Sequence, residues 1–195
     1  MWRADELGGL EVLWASYGHL VFTPHAHEEY LIAVTEGGVG GPIYRGETHE
    51  VGPGDVLVLN PEEPHAGGPL TGSPWQYRAL YPSAELILQV ESEFTGGPQQ
   101  APAFAEGVVR DREAARRLRR FHAVAADERS TSLQREALLV EALVWLVGRH
   151  STRRPSLRSS RSEHRGAQRA REYLEEHAVE NVSLAELARV AVLSP

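Results

Sequence analysis

The sequence predicts a mainly β protein: an antiparallel barrel of short strands, then a pair of helices, then a short and incomplete helical segment. The first observation is that 15 of the 18 Gly and 9 of the 12 Pro lie in residues 1–98. The second is a change to helical periodicity after residue 110. The third is charge, because residues 1–109 carry 3 Arg and 15 acidic residues whereas residues 110–171 carry 16 Arg and 7 acidic residues. An acidic body joined to a basic middle indicates two roles within one chain.

Short apolar or alternating runs predict the strands of the barrel. Turn-forming segments such as GGVGGP, VGPGD and GGPLTGSP separate them, as expected of an antiparallel sheet that closes or stacks on itself. In the run at residues 75–81, alternation places Trp75 and Tyr77 on one face of the strand but does not show which face points inward. The clearest runs are LEVLW (10–14), EYLIAVT (29–35), VLVLN (56–60) and WQYRALY (75–81).

Two helices are predicted over residues 111–127 and 132–150. The first is amphipathic, whereas the second is apolar over much of its circumference and must be buried on more than one side. The fold alone could cover this second helix, and a seam between two copies of the chain is the alternative. Its main apolar face, which we take as the candidate homodimer contact, consists of Leu138, Leu139, Ala142, Trp145 and Leu146.

A linker and a second helical unit complete the chain. Residues 151–165 contain five Arg and five Ser but one Leu, so they cannot bury enough apolar surface to fold. They are interpreted as a solvated tether, with contact to phosphates as the alternative. Helical periodicity resumes at residues 167–178, and Ser183 with Glu186 forms a capping box before another short helix. The predicted boundaries are 1–109 for the barrel, 110–150 for the helical pair, 151–166 for the linker and 167–195 for the final segment.

Composition excludes some classes of protein. There is no Cys, which excludes disulfides and thiolate metal sites and fits a reducing cytoplasm. No apolar run approaches the length of a membrane span, and the first twenty residues lack a signal-peptide pattern. We therefore expect a cytoplasmic protein without a membrane partner.

The first half resembles the cupin family. Its first motif is matched by His25, His27 and Gly37, and its second by Pro53-Gly54-Asp55, the strand VLVLN, Pro61 and His65. The segments NPEEPHAGG and WQYRALYPS are similar to the sensor domain of AraC-family transcription regulators, and so is AFAEGVVRD leading into two helices. This resemblance covers residues 18–150 and implies a cupin-like barrel that binds a small molecule.

A second, independent resemblance lies at the end of the chain. REYLEEHAVENVSLAELARVAVLSP is similar to the opening of the AraC-type helix-turn-helix domain. Val192 stands where that family often has Gly. A Val would fit poorly in a turn that requires positive φ. The family's next element is the recognition helix, which is absent from these 195 residues, so no DNA-binding residue is assigned. We expect the full-length protein to bind DNA and these residues alone not to read it.

The histidines raise the question of a metal. Metal-binding cupins use three His and one Glu, and the resemblance places that Glu at Leu31 or Ile32. Glu29 would share a strand face with the first two histidines but lies only two residues after His27. Three His alone bind zinc in some enzymes, and a hydrogen-bonded structural role for each His is the further alternative.

We therefore predict a ligand-responsive transcription regulator of the AraC type, not an enzyme, with no cofactor or metal. Its partners would be DNA in the full-length protein, a small-molecule effector and a second copy of the chain. The alternative is a metal-dependent cupin enzyme, a dioxygenase or isomerase that uses His25, His27 and His65. The predicted ligand-binding residues are His25, His27, Tyr44, His65, Trp75 and Tyr77.

Overall fold

The computed structural model describes residues 2–95, 100–152, 163–177 and 181–191. Within these residues, ten strands form two antiparallel sheets, of six strands in the order β1-β2-β9-β4-β7-β10 and of four strands in the order β3-β8-β5-β6. The six strands are β1 (Trp2–Ala4), β2 (Leu10–Tyr17), β4 (Leu31–Gly37), β7 (Val56–Leu59), β9 (Trp75–Tyr81) and β10 (Val108–Val109). The four are β3 (Phe22–His25), β5 (Gly40–Tyr44), β6 (Glu47–Thr48) and β8 (His65–Pro69). The predicted cupin-like β barrel is confirmed.

The six-stranded sheet has an apolar core on each of its faces. Side chains alternate along a strand, so Ile32 and Val34 of β4 point to one face while Leu31 and Ala33 point to the other. Ile32 and Val34 belong to the core that the sheet shares with the helices, whereas Leu31 and Ala33 belong to the core between the two sheets. This explains why β4 is buried over five consecutive residues. One sheet therefore separates the interior of the barrel from the helical layer.

Helix α1 (Ala84–Thr95) was not predicted. It begins beside Ser83, whose side-chain oxygen accepts a hydrogen bond from the Leu86 amide at 3.1 Å, as a residue at the start of a helix commonly does. Ile87 and Val90 face the helical core and are buried. Ser83 is of a residue type that favours the start of a helix, whereas the predicted barrel of residues 1–109 contained no helix.

Helices α2 (Arg112–Ala125) and α3 (Ser132–His150) confirm the predicted helical pair. The Asp111 carboxylate joins their ends: it accepts hydrogen bonds from the Glu113 and Ala114 amides at the start of α2. It also accepts one from the Trp145 indole at 3.0 Å and one from His150 at 2.8 Å, near the end of α3. These bonds hold the pKa of Asp111 well below its usual range in spite of partial burial, which opposes them.

The candidate dimer residues do not share one environment. Leu139, Ala142 and Leu146 are buried within their own chain, each with 2% or less of its surface exposed. Leu138 and Trp145 are partly buried at the edge of the same core. The covering of α3 by its own fold, which was the first of the two alternatives, therefore accounts for the three most buried residues.

Helices α4 (Glu163–Glu176) and α5 (Leu184–Ala191) follow. Helix α4 begins inside the predicted linker of residues 151–166, because residues 163–166 are Glu, His, Arg and Gly and include no Pro that would stop the helix. The rest of the linker, residues 153–162, lies outside the described residues, as do Val192 and the LSP segment. In the part of the chain that the structure describes, every helix is too short or too polar to cross a lipid bilayer.

Candidate functional site

A cavity lies between the two sheets. Its volume is about 90 Å³, enough for one small molecule. The six-stranded sheet contributes Leu13, Tyr17, Leu31, Ala33, Leu57, Leu59, Trp75, Tyr77 and Tyr81, and the four-stranded sheet contributes Phe22, His25, Pro42, His65, Ala66 and Gly67. His27 lines it from the loop between β3 and β4. Among the described residues, none of those that line this cavity is Asp, Glu or Arg.

Three imidazoles meet at the cavity. The ring centroid of His65 lies 4.4 Å from that of His25 and 4.9 Å from that of His27. The local reason is strand register, since His25 of β3 pairs directly with His65 of β8. His27 is brought in by the loop that precedes β8, because the Glu62 amide donates to the His27 carbonyl at 2.8 Å.

Each of these rings has its Nδ1 turned towards the backbone. His25 donates to the Thr23 carbonyl at 2.7 Å, His27 to the Glu29 carbonyl at 2.7 Å and His65 to the Glu63 carbonyl at 2.9 Å. A carbonyl oxygen can only accept, so Nδ1 carries the proton in all three rings. In the neutral rings Nε2 is then a hydrogen-bond acceptor. The Nε2 of His27 is buried and has no hydrogen-bond partner within the described residues.

The histidines are surrounded by aromatic rings. Trp75 and Tyr77 both line the cavity, so the strand face that they share points into the barrel. Their ring centroids lie 4.7 Å apart. The Trp75 indole donates to the Thr35 hydroxyl at 3.3 Å. Trp75 also packs on Gly40, where any side chain would overlap the indole ring.

Sequence reasoning missed three aromatic residues of this wall. Tyr17, Phe22 and Tyr81 line the cavity, and the Tyr81 ring lies 5.5 Å from that of His27. Tyr81 shares strand parity with the predicted Trp75 and Tyr77, which was an available signal for that residue. Nothing in the linear sequence connects Tyr17 or Phe22 with the histidines.

Burial shifts the pKa values of several residues that line the cavity. It raises the pKa of Tyr81 to about 12 and raises that of Tyr77 further, so both phenols are neutral at pH 7. Burial also lowers the pKa of His65, and the neighbouring His25 and His27 lower it further. Burial therefore favours the neutral forms of Tyr77, Tyr81 and His65 in the cavity.

Tyr44 lies in the same inner core but does not line the cavity. Its hydroxyl accepts hydrogen bonds from the amide and the side chain of Asn60, and Asn60 in turn is bonded to both backbone groups of Phe104. Glu63 and Arg45 complete this group, and the Arg45 guanidinium holds the pKa of Glu63 at about 2. Tyr44 therefore joins the barrel to the segment before β10 and is held away from the cavity.

The donor set does not fit a metal ion of the cupin kind. Backbone bonds that free Nε2 are what metal-binding histidines use. The two positions at which the resemblance places the family's carboxylate are both apolar: Leu31 lines the cavity, and Ile32 lies in the core on the other face of the sheet. The Glu29 side chain is not part of the cavity lining either. Within the described residues, no group of three or more His, Asp or Glu is arranged to hold a metal ion.

Comparison with known proteins gives two kinds of match. Residues 7–143 match the family described as the AraC-like ligand binding domain. The chain is also 27% identical over 169 residues to an uncharacterized HTH-type transcriptional regulator of Bacillus subtilis, YbfI. That match takes in 87% of this chain and 60% of the regulator, so the chain spans less than two thirds of its relative's length.

Solved structures resemble parts of the barrel. One is a Cupin 2 conserved barrel domain protein from Salinispora arenicola, 24% identical, with 40% of this chain and 66% of that chain covered and a TM-score of 0.36. Another is KdgF from Halomonas sp., 23% identical, with 40% and 74% covered and a TM-score of 0.34.

Proposed function

Because the chain belongs to the family of AraC-like ligand-binding domains, we propose that it is the sensing part of a cytoplasmic transcription regulator whose effector binds in the barrel cavity. The observation that carries this proposal is the set of three imidazoles whose Nδ1 groups are all bonded to the backbone. Their Nε2 atoms are left to accept hydrogen bonds from a molecule within an aromatic cavity. This is a binding arrangement, with orientation supplied by few polar groups and affinity by apolar surface.

The effector that suits this cavity is small, uncharged and able to donate hydrogen bonds. Neutral Nε2 atoms accept and do not donate, and the buried Nε2 of His27 is costly without a partner. A charged molecule would lose its hydration without meeting an opposite charge, because the lining contains neither acidic residues nor Arg. The aromatic rings would cover the apolar face of the effector.

The test is a thermal-unfolding screen of the chain with neutral polyols, monosaccharides and phenols, beside carboxylate and amine analogues. A compound that binds only the folded state raises the melting temperature in proportion to its affinity and concentration. We expect neutral hydroxyl compounds to do so and charged analogues not to. His27→Leu should weaken binding about tenfold or more, because it removes the buried acceptor. His19→Leu, at an exposed histidine outside the cavity, is the matched control.

Two results would count against the proposed site. One is an effector whose affinity is unchanged by both His27→Leu and Tyr77→Ala. The other is stoichiometric iron, manganese, zinc or nickel in the purified protein that disappears on substitution of His27 and His65, which would favour the metal-dependent cupin enzyme.

DNA binding and self-association belong to the same proposal. The relative's description as an HTH-type regulator supports a DNA-binding role for the C-terminal region. A homodimer is supported by the groove between α2 and α3, where the partly buried Leu138 lies beside Ala123 and Val124. We expect a second copy of the chain to cover this groove.

A further inference from the structure

The start of α5 rests on α3. The Leu184 amide, at the first residue of α5, donates to the Glu136 carboxylate at 2.7 Å. One turn earlier on α3, the Ser132 hydroxyl donates to the Asn181 side-chain oxygen at 2.9 Å, and the Ser132 amide donates to the same oxygen at 3.3 Å. The described part of the final helical unit is thus bonded to the helical pair at two neighbouring points.

The Glu136 contact satisfies a group that α5 cannot satisfy by itself. The first amides of a helix have no partner within the helix. At the start of α5, two amides are bonded by the capping box: the Ser183 hydroxyl accepts from the Glu186 amide, and the Glu186 carboxylate accepts from the Ser183 amide. The Leu184 amide is provided for by a residue of another helix. A carboxylate at this end also interacts favourably with the helix dipole.

The contact continues the buried stripe of α3. Ser132, Glu136, Leu139 and Leu143 follow one another at spacings of four, three and four residues, so they lie on one face of the helix. Leu139 and Leu143 are buried in the core that the helices share with the six-stranded sheet. A single helix therefore packs on the sensor core with one part of its face and holds α5 with the other.

The docked unit is itself held together. The Arg169 guanidinium of α4 donates to the carbonyls of Val190 and Ala191 at the end of α5, at 3.2 and 2.7 Å. Gly166 of α4 lies against Ala191, where a Cβ would meet the Ala191 carbonyl oxygen at 2.9 Å. Because α4 and α5 are bonded to each other, a contact that fixes the start of α5 also fixes the position of α4.

From these contacts we infer that Ser132 and Glu136 form the docking surface by which the sensor part holds the start of the DNA-binding region in a defined orientation. The identity of the docked region as DNA-binding rests on the proposed function, whereas the docking itself does not. Glu136 acts as a positioning residue, because it caps a helix of the other unit.

Amide hydrogen exchange of the 195-residue chain, followed by NMR, tests this surface at one atom. The Leu184 amide of an undocked α5 would exchange as an open helix end does, because it has no partner within its own helix. We expect it to be protected in the unsubstituted chain and to exchange about tenfold or more faster in Glu136→Ala, since a hydrogen bond to a carboxylate is among the stronger kinds. Glu136→Gln keeps an acceptor oxygen and should restore much of the protection.

Controls separate loss of docking from loss of folding. Glu128→Ala, at an exposed glutamate of the turn between α2 and α3, should leave the Leu184 amide protected. The amides of β4 and β9 should stay protected in every variant. An Asn181→Ala variant should also expose Leu184, whereas Asn181→Asp retains the oxygen that Ser132 needs.

Two outcomes would overturn the inference: a Leu184 amide that exchanges freely in the unsubstituted chain, or one that remains protected in Glu136→Ala. Neither outcome involves an effector or DNA. A failed docking test would therefore leave the proposed regulator function to be judged by the effector screen, and a failed screen would leave the docking result intact.

Discussion

At the scale of single residues, His122 stands apart from the histidines of the cavity. It lies on the buried face of α2 with 1% of its surface exposed, and its ring makes edge contacts with the rings of Trp2 and Phe121. Neither ring nitrogen makes a hydrogen bond within the described residues. Burial, reinforced by the nearby Arg78 charge, lowers the pKa of His122 to about 4.

This burial makes the stability of the protein depend on pH. Below the ordinary pKa of 6.5, the unfolded chain binds a proton at His122 that the folded chain does not accept until about pH 4. The free energy of unfolding should therefore fall as the pH is lowered through this window, by about 2 kcal/mol between pH 7 and pH 5. His122→Leu should remove this part of the dependence, whereas His19→Leu should not. Urea unfolding at the two pH values measures this loss of stability. The prediction would be contradicted if the free energy of unfolding fell by the same amount in His122→Leu as in the unsubstituted chain.

Some of the candidate ligand-binding residues could be predicted from the sequence, and others could not be placed correctly. His25, His27 and His65 were predicted together from motif spacing, and strand register does bring their rings into contact. Tyr44 was predicted because it lies on a strand that should border the cavity, and in the structure it pairs with His65 in the sheet. Its hydroxyl is engaged by Asn60, however, and that partner could not be inferred because the bond depends on how the loop before β8 folds back.

At the scale of elements, α3 carries two kinds of apolar residue that look alike in the sequence. Leu139 has 2% of its surface exposed and packs in the core of its own chain. Leu138, the preceding residue, is turned by about 100° around the helix and lies in the groove with Arg120 and Glu141. Hydrophobicity alone does not separate these neighbours.

Substitutions at these two positions should therefore have different effects. Leu139→Glu places a carboxylate in the core and should lower the free energy of unfolding by about 4 kcal/mol. Leu138→Glu should cost much less stability and should shift the proposed dimer towards monomer. Urea unfolding and sedimentation of both variants measure the two effects. An unsubstituted chain that sediments as a monomer at high concentration, or a dimer unaffected by Leu138→Glu, would exclude the groove as the interface.

At the scale of the whole molecule, the cavity and the C-terminal helices lie on opposite sides of one sheet and one helix. Leu31 and Ala33 line the cavity, and their strand neighbours Ile32 and Val34 belong to the core that also contains Leu139 and Leu143 of α3. The other part of that α3 face holds α5. Any change that an effector causes in the sheet has a short, continuously packed route to the proposed DNA-binding region.

Effector and operator binding should then be coupled in a protein that joins these residues to a complete helix-turn-helix region. If the effector changes operator affinity by some factor, the operator must change effector affinity by the same factor, and we expect roughly 5-fold or more. Two titrations, of DNA with and without effector and of effector with and without DNA, measure both sides. His27→Leu should shift the response to about tenfold or more higher effector concentration, because it removes the buried acceptor, but should leave effector-free DNA binding unchanged. Equal operator affinity with and without a saturating effector would refute ligand-responsive regulation.

The sequence by itself determined the features that depend on neighbours along the chain. Alternating and apolar runs predicted the long barrel strands, helical periodicity predicted α2 and α3, and Ser183 with Glu186 predicted the start of α5. Only the tertiary structure decided which apolar residues of α3 are covered, that Tyr17 and Phe22 complete the cavity wall, and that Tyr44 is held outside it. The physical reason is that these outcomes depend on closure of two sheets and on hydrogen bonds between residues far apart in sequence, whereas periodicity reports only which side chains share a face.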